Sequence, residues 1–219
     1  MRRVQGDGRI LHSTIMAPSD NVAVFIDGGY IRANLKKYYG EPRIDFEKLS
    51  DELCGNCKRF RTYYYMAPPY QSDPSTIDER CKKADYDRFI EHLKRLSRFM
   101  IREGYLQKRP HPKCINCGTS QFPNCSKCGT QLPFKMFEQK GVDVKLSIDL
   151  TQISASKRID RAIIVSADGD FAPAIEQAKE NMVLVTWAYF RQQRSRIIDS
   201  VCDERIEITP ELIKKITLQ

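Results

Sequence analysis

Three short, mainly apolar runs, the first of them unbroken, constrain this chain more than any other feature. Val22–Ile26, Arg161–Val165 and Met182–Trp187 lack the polar–apolar alternation of a strand with one wet face. Each reads as a strand buried on both sides. The segments around them read as helices: Tyr30–Lys37, Phe46–Leu53, Val142–Ser154, Phe171–Glu180 and Ser195–Val201. Arg59–Met66 adds a β-rich stretch stopped by Pro68-Pro69, and 73–76 has the chemistry of a loop. Strands that alternate with helices imply crossover connections and a mostly parallel sheet. Tyr86, Phe89, Ile90, Leu93, Leu96 and Met100 recur at helical spacing, which predicts one long helix over 84–102 closed by Gly104 as its C-cap. A strand over Tyr105–Lys108 follows. With 219 residues, 41% of them hydrophobic, the chain can bury one sizeable core with a small insertion.

Aspartates stand at the exits of two of the buried runs. Asp27 ends the first, before Gly28-Gly29, and Asp168 and Asp170 flank Gly169 after the second. Ligands of open parallel sheets bind beyond the carboxyl ends of strands, so neighbouring strands would bring these side chains to one edge. Lys140-Gly-Val-Asp143 opens a helix that also carries Asp149. Lys140 could face a phosphate while Asp143 completes the acidic group. Asp149, six positions on, points elsewhere and reaches the site only with favourable geometry. Crowded ionised carboxylates need a counter-charge, and Mg²⁺ or Mn²⁺ prefers oxygen ligands. Such ions activate water against phosphodiesters. Any single aspartate here is as readily a turn former or helix cap, Asp170 especially. The set, beside glycines, is what points to metal.

Eight cysteines in a chain without the pattern of a signal peptide argue for reduced thiols and metal. Cys114-Ile-Asn-Cys117 and Cys125-Ser-Lys-Cys128 are paired knuckles, each followed by a glycine. Four thiolates so spaced suit tetrahedral Zn²⁺ in a closed, structural site that staples an insertion over 110–133. Cys54-Gly-Asn-Cys57 has no second pair and reads as structural or incidental. His12, His92 and His111 form no constellation, and no phosphate-binding glycine loop is present.

The formal charge of +8 favours a polyanionic partner, nucleic acid first. The basic residues cluster: Arg95, Arg98, Arg102, Lys108, Arg109 and Lys113 in one run, Arg191 and Arg194 in another, both with aromatics nearby. Nothing approaches the length of a membrane-spanning apolar stretch. Residues 1–20 read as a loose extension, and the chain is expected to be cytoplasmic with no membrane partner.

Val-Phe-Ile-Asp-Gly-Gly-Tyr (24–30), Lys-Gly-Val-Asp (140–143) and Ser-Ala-Asp-Gly-Asp-Phe-Ala-Pro (166–173) together resemble, in order and spacing, the signatures of NYN domains of the LabA-like branch, within the PIN-like nucleases. The resemblance implies a PIN-like Rossmannoid three-layer sandwich over 21–209, with the zinc-ribbon insertion within it and a C-terminal helix or tail over 210–219. It implies metal-dependent ribonuclease activity on RNA, with Asp27, Asp143, Asp168 and Asp170 as metal-binding catalytic residues and Ser166 supporting metal or phosphate. One position departs: Tyr30 stands where many such domains carry Asn. Asn34, one helical turn on, either substitutes or the contact does not exist. The expected function is therefore a metal-dependent endoribonuclease, with a non-catalytic RNA-binding or regulatory adaptor as the alternative and a small-phosphate phosphatase third. Homo-oligomerisation is left open.

Overall fold

A computed structural model of the protein describes residues 20–114, 117–119, 127–129 and 134–218. Its first half runs β1 (Asn21–Asp27), α1 (Gly28–Tyr38), α2 (Phe46–Cys54), β2 (Lys58–Met66), α3 (Ile77–Arg95) and β3 (Phe99–Glu103). A hairpin of β4 (Tyr105–Cys114) and β5 (Phe134–Lys140) follows, then α4 (Val142–Ala155) and β6 (Arg161–Val165). After a 3-10 turn at Gly169–Phe171 come α5 (Ala172–Glu180), β7 (Leu184–Tyr189), α6 (Arg196–Val201), β8 (Glu204–Glu207) and α7 (Pro210–Ile216).

Six strands form one sheet in the order β3-β2-β1-β6-β7-β8, every neighbouring pair parallel. These mainly apolar runs are central because both of their faces are covered. On β1, Val22, Val24 and Ile26 pack with α1, α2, α3 and α7, while Ala23 and Phe25 pack with α4, α5 and α6. The result is the expected α/β/α sandwich around a parallel sheet. From β1 the chain builds outward to β2 and β3, then returns to lay β6 on the other side of β1. The direction of building therefore reverses between β1 and β6, and such a switch point opens a crevice at the carboxyl ends of the strands.

The helix expected over 84–102 is displaced. The real helix starts at Ile77, where Thr76 and Glu79 form a reciprocal capping box. It stops at Arg95, with Leu96 as its C-cap. Arg98 then turns the chain in the left-handed region (φ 62°), and residues 99–103 pair with Thr62–Met66 as β3. Leu93 and Leu96 happen to sit at helical spacing from Met100, so a helix followed by a strand mimicked one longer helix. Gly104 caps nothing. Its N–H donates to Met66 O across the sheet edge, and a Cβ there would stand 2.5 Å from Lys140 O. The hairpin pairs residues 105–108 with 137–140 and was half anticipated, since only its first strand has a clear β signal.

Candidate active site and metal centre

Asp27 is the last residue of β1 and Ser166 follows the last residue of β6, directly across the switch point. Asp27 Oδ2 accepts a hydrogen bond from Ser166 Oγ at 3.0 Å. Its Oδ1 accepts from the Tyr30 N–H at 3.0 Å, which makes Asp27 the N-cap of α1. Gly28 is required by contact: a Cβ there would lie 2.8 Å from the ring and hydroxyl of Tyr64. Ser166 is fully buried, and its carbonyl is pinned by the indole N–H of Trp187 at 2.6 Å. Its hydroxyl also accepts from the Asp168 N–H at 3.2 Å. Asp168 in turn accepts from the Asp170 N–H at 3.0 Å and caps the 3-10 turn. Asp168 and Asp170 are exposed, and Asp143, in the first turn of α4, is partly buried.

These four carboxylates share one electrostatic environment. Burial pushes Asp27 above the usual carboxylate range. The Tyr30 N–H, the Ser166 hydroxyl and the Gly29 N–H pull it back, and the Asp168 charge adds to the rise. Asp143 is raised by burial first, then by Asp168, Asp27 and Asp170. The oxygens are not drawn into a tight cage: among the described residues, the acidic groups provide no set of three ligand atoms within 4.8 Å of one another. An all-oxygen donor set in which burial and neighbouring charge raise Asp27 and Asp143 has the donor chemistry of a hard divalent cation, which would supply the missing positive charge.

Several residues expected beside this site do other work. Asp149 faces away and is buried against β2 and β3. It accepts from Tyr65 Oη at 2.9 Å and from Arg102 Nε and Nη2 at 2.7 and 3.2 Å. Arg102 is thereby committed to the protein rather than to a phosphate. Asn34 is wholly buried; its amide donates to Tyr30 O and to Gln193 Oε1 at 2.9 and 2.8 Å, so it substitutes for no substrate contact. Lys140 pairs with Glu138 at 3.1 Å. Tyr30 Oη accepts from the Phe190 N–H and donates to Gln193 O, clasping the segment after β7, and burial pushes its phenol up to about 12.

The basic residues divide by sheet end. Arg95 and Arg98 precede β3, so they lie at the end of the parallel sheet opposite the aspartates. Arg98 donates to Arg59 O. Arg191 and Arg194 follow β7 and lie at the aspartate end, with Arg194 over the Tyr189 ring and paired to Asp199. Lys108 and Lys113 are exposed on β4. The side chain of Arg109 lies outside the described residues. Tyr64, Trp187 and Gln193 were not singled out from sequence; only the Tyr63-Tyr64-Tyr65 run and the lone tryptophan hinted at them.

The hairpin carries the second candidate metal centre. The sulfurs of Cys114, Cys117 and Cys128 all lie within 4.8 Å of one another, with Cys114 Sγ 3.3 Å from Cys128 Sγ. Tetrahedral Zn–S bonds of about 2.3 Å set sulfurs roughly 3.8 Å apart, so the donor set fits zinc. Gly118 and Gly129, one after each knuckle, both take φ +69°. Cys125 lies outside the described residues. Cys54 and Cys57 are buried; burial pushes Cys54 up to about 12 and raises Cys57, which keeps both as inert thiols.

A parallel α/β sandwich with acidic side chains at its switch point is a PIN-like arrangement. The NYN domain family model matches residues 70–209, and the chain belongs to that family, whose members are generally nucleases of the PIN-like superfamily. The matched span includes Asp143, Asp168 and Asp170; β1 and Asp27 precede it. The fold is also similar to the crystal structure of a protein of unknown function from Vibrio parahaemolyticus, with a TM-score of 0.55 and 16% identity over 90% of this chain and 97% of that one. No curated protein matches. No described helix is long and apolar enough to cross a membrane.

Proposed function

We propose that the protein is a metal-dependent endoribonuclease that hydrolyses RNA phosphodiesters at Asp27, Asp143, Asp168 and Asp170. What supports the reading is that Asp27, Asp168 and Asp170 lie at or just beyond the carboxyl ends of the adjacent parallel strands β1 and β6, with Asp143 in the first turn of α4 raised by burial and then by the charges of the other three. A Mg²⁺ or Mn²⁺ ion held by them would supply the charge that activates water and stabilises the leaving oxygen. The chain's own part is positioning. Ser166 and the Tyr30 N–H fix both oxygens of Asp27. Trp187 fixes Ser166, and the cap at Asp168 fixes Asp170 beside it. Arg191 and Arg194 offer positive charge at the same sheet end, where an RNA strand would pass. The test is cleavage of single-stranded RNA with and without Mn²⁺ by wild type and Asp168→Asn. Loss of cleavage in the variant is expected, and equal cleavage by both proteins overturns the assignment.

The open spacing of the acidic oxygens favours a second reading, an RNA-binding adaptor that keeps the fold. Tyr30, spent on the segment after β7, offers no polar group in the place of the family's Asn. Tight RNA binding with no Mn²⁺-stimulated cleavage on several substrates would establish it.

A further inference from the structure

A cavity of about 670 Å³ opens at the carboxyl end of β2, between α1, α3 and the hairpin. That is within the roughly 300–1,000 Å³ range of small-molecule sites. Its inner wall is aromatic. Tyr64 meets Phe46 and Phe89 edge-on, with ring centroids 5.1 and 5.8 Å apart. Arg32, Arg43 and Lys82 stand at the rim with Glu41 and Asp85; Arg32 pairs with Glu41 at 3.5 Å and Lys82 with Asp78, which leaves Arg43 as the rim cation outside those pairs. The cavity shares a wall with the aspartate site. The Tyr64 hydroxyl lies 2.8 Å from where a Gly28 Cβ would be, and Gln139, also lining the cavity, brings Oε1 within 3.9 Å of the same point on Gly29. Only the Asp27–Gly29 turn separates the two.

Tyr64 is the second, independent pointer. The buried phenols of Tyr30, Tyr65 and Tyr86 all donate, to Gln193 O, Asp149 Oδ2 and Glu103 Oε1. Tyr64, 1% exposed, differs in that its side chain lines the cavity, and its hydroxyl is not one of the buried side-chain atoms that lack a partner among the described residues. A phenol on the wall of a cavity offers whatever enters a hydrogen-bonding group that phenylalanine would not.

We propose that this cavity receives the base of one nucleotide of a single-stranded RNA, whose adjoining phosphate then lies at Asp27. The proposal rests on the ribonuclease reading and names the form of its substrate. A base entering the cavity meets the partly exposed face of Phe89 for stacking, and the Tyr64 hydroxyl and Gln139 amide for its polar edge. Arg43 at the rim meets the backbone. A base held in a duplex cannot enter without leaving its stack, so single-stranded or looped RNA is preferred over duplex.

The probe is a short fluorescein-labelled single-stranded RNA of mixed sequence, together with the set that carries one abasic ribose at each position in turn. Binding is read by anisotropy without Mg²⁺ or Mn²⁺, on the zinc-loaded full chain. One position should stand out, its abasic form binding about 5- to 100-fold more weakly. Phe89→Ala should shrink that penalty. Tyr64→Phe should weaken binding of the intact RNA by about 2- to 10-fold while leaving the unfolding midpoint unchanged or higher. A uniform abasic profile overturns the proposal, as does a penalty that survives both variants. Mn²⁺-dependent cleavage is measured separately. Cleavage without a base-specific penalty sinks the pocket alone, and a base-specific penalty without cleavage sinks the nuclease alone.

Discussion

Asp149→Ala separates a structural carboxylate from the candidate active-site set. Asp149 is 9% exposed and accepts from the Tyr65 hydroxyl and, bidentately, from the Nε–Nη2 edge of the Arg102 guanidinium. Removing it leaves the fully buried Tyr65 hydroxyl without an acceptor, at a cost of about 1–3 kcal/mol. Breaking a buried ion pair costs roughly 3–5 kcal/mol. The Arg102 side chain is 35% exposed, however, so water recovers much of that part. A net loss of about 3 kcal/mol follows, equivalent to a drop of about 6–12 °C in Tm for a chain of this size. The assay is thermal unfolding of wild type, Asp149→Ala, Arg102→Met and the double variant. The double variant should lose clearly less than the sum of the singles, because each single strands the other's partner. Mn²⁺-dependent cleavage at a temperature where all are folded should persist in Asp149→Ala. A Tm loss below about 2 °C, strict additivity, or abolished cleavage in the folded variant would refute this account.

Native mass spectrometry of the purified protein should show about one zinc per chain, reduced in Cys114→Ser; full zinc retention in that variant would remove Cys114 from the site. Tyr30→Phe should cost about 1–3 kcal/mol and increase hydrogen exchange at the Phe190 amide, which donates to the Tyr30 hydroxyl; unchanged protection there counts against the clasp. Asp27 and Asp143 have raised native pKa values. From about pH 4 upward the native state therefore holds more protons at these groups than the unfolded chain does, so their contribution to stability is greatest at low pH and declines as pH rises through the raised values. In metal-free buffer the Tm of wild type relative to Asp27→Asn should thus fall with rising pH, and Mn²⁺ should reverse the trend. A relative Tm that rises with pH before metal is added contradicts the sign.

The sandwich was legible because its central strands are buried on both faces. Val22–Ile26 and Ala162–Val165 have no wet side to interrupt the apolar run, and such a run admits few other placements. Edge elements carry weaker signals for the same reason. In β3, Phe99 and Ile101 pack partly buried toward one side of the sheet and Met100 toward the other, and at the sheet margin that pattern was indistinguishable from the tail of α3. β8 is four residues of mixed polarity, and α7 is marked mainly by its Thr209 cap and Pro210. That Asp27 and Asp168 end or follow neighbouring parallel strands at the same end of the sheet was legible from strand exits plus the rule for parallel sheets. What Asp149, Arg102 and Asn34 do was not, because direction around a helix and the identity of a cross-layer partner are decided by tertiary packing. A charge cluster in sequence likewise ignores which end of a parallel sheet each residue reaches, which is how Arg95 and Arg98 parted from Arg191 and Arg194.

Capping and metal binding looked like competing explanations for an aspartate after a strand, and the geometry makes them one. Asp27 is an N-cap, and so is Asp168. A cap holds one carboxylate oxygen against a backbone N–H and thereby fixes where the other oxygen points. On Asp27 that second oxygen meets Ser166. On Asp168, capping with Oδ1 leaves Oδ2 with no such tie among the described residues. A pair of caps on adjacent parallel strands thus aims two carboxylates across one crevice. Capping accounts for each orientation but not for Asp143, which caps nothing and arrives from α4 only to have its charge disfavoured by the other three. Folding alone would favour a neutral residue there. The charge that burial and three neighbouring acids disfavour at Asp143 is one that a cation in the proposed site would offset, and this is why the cluster is read as more than turn formation.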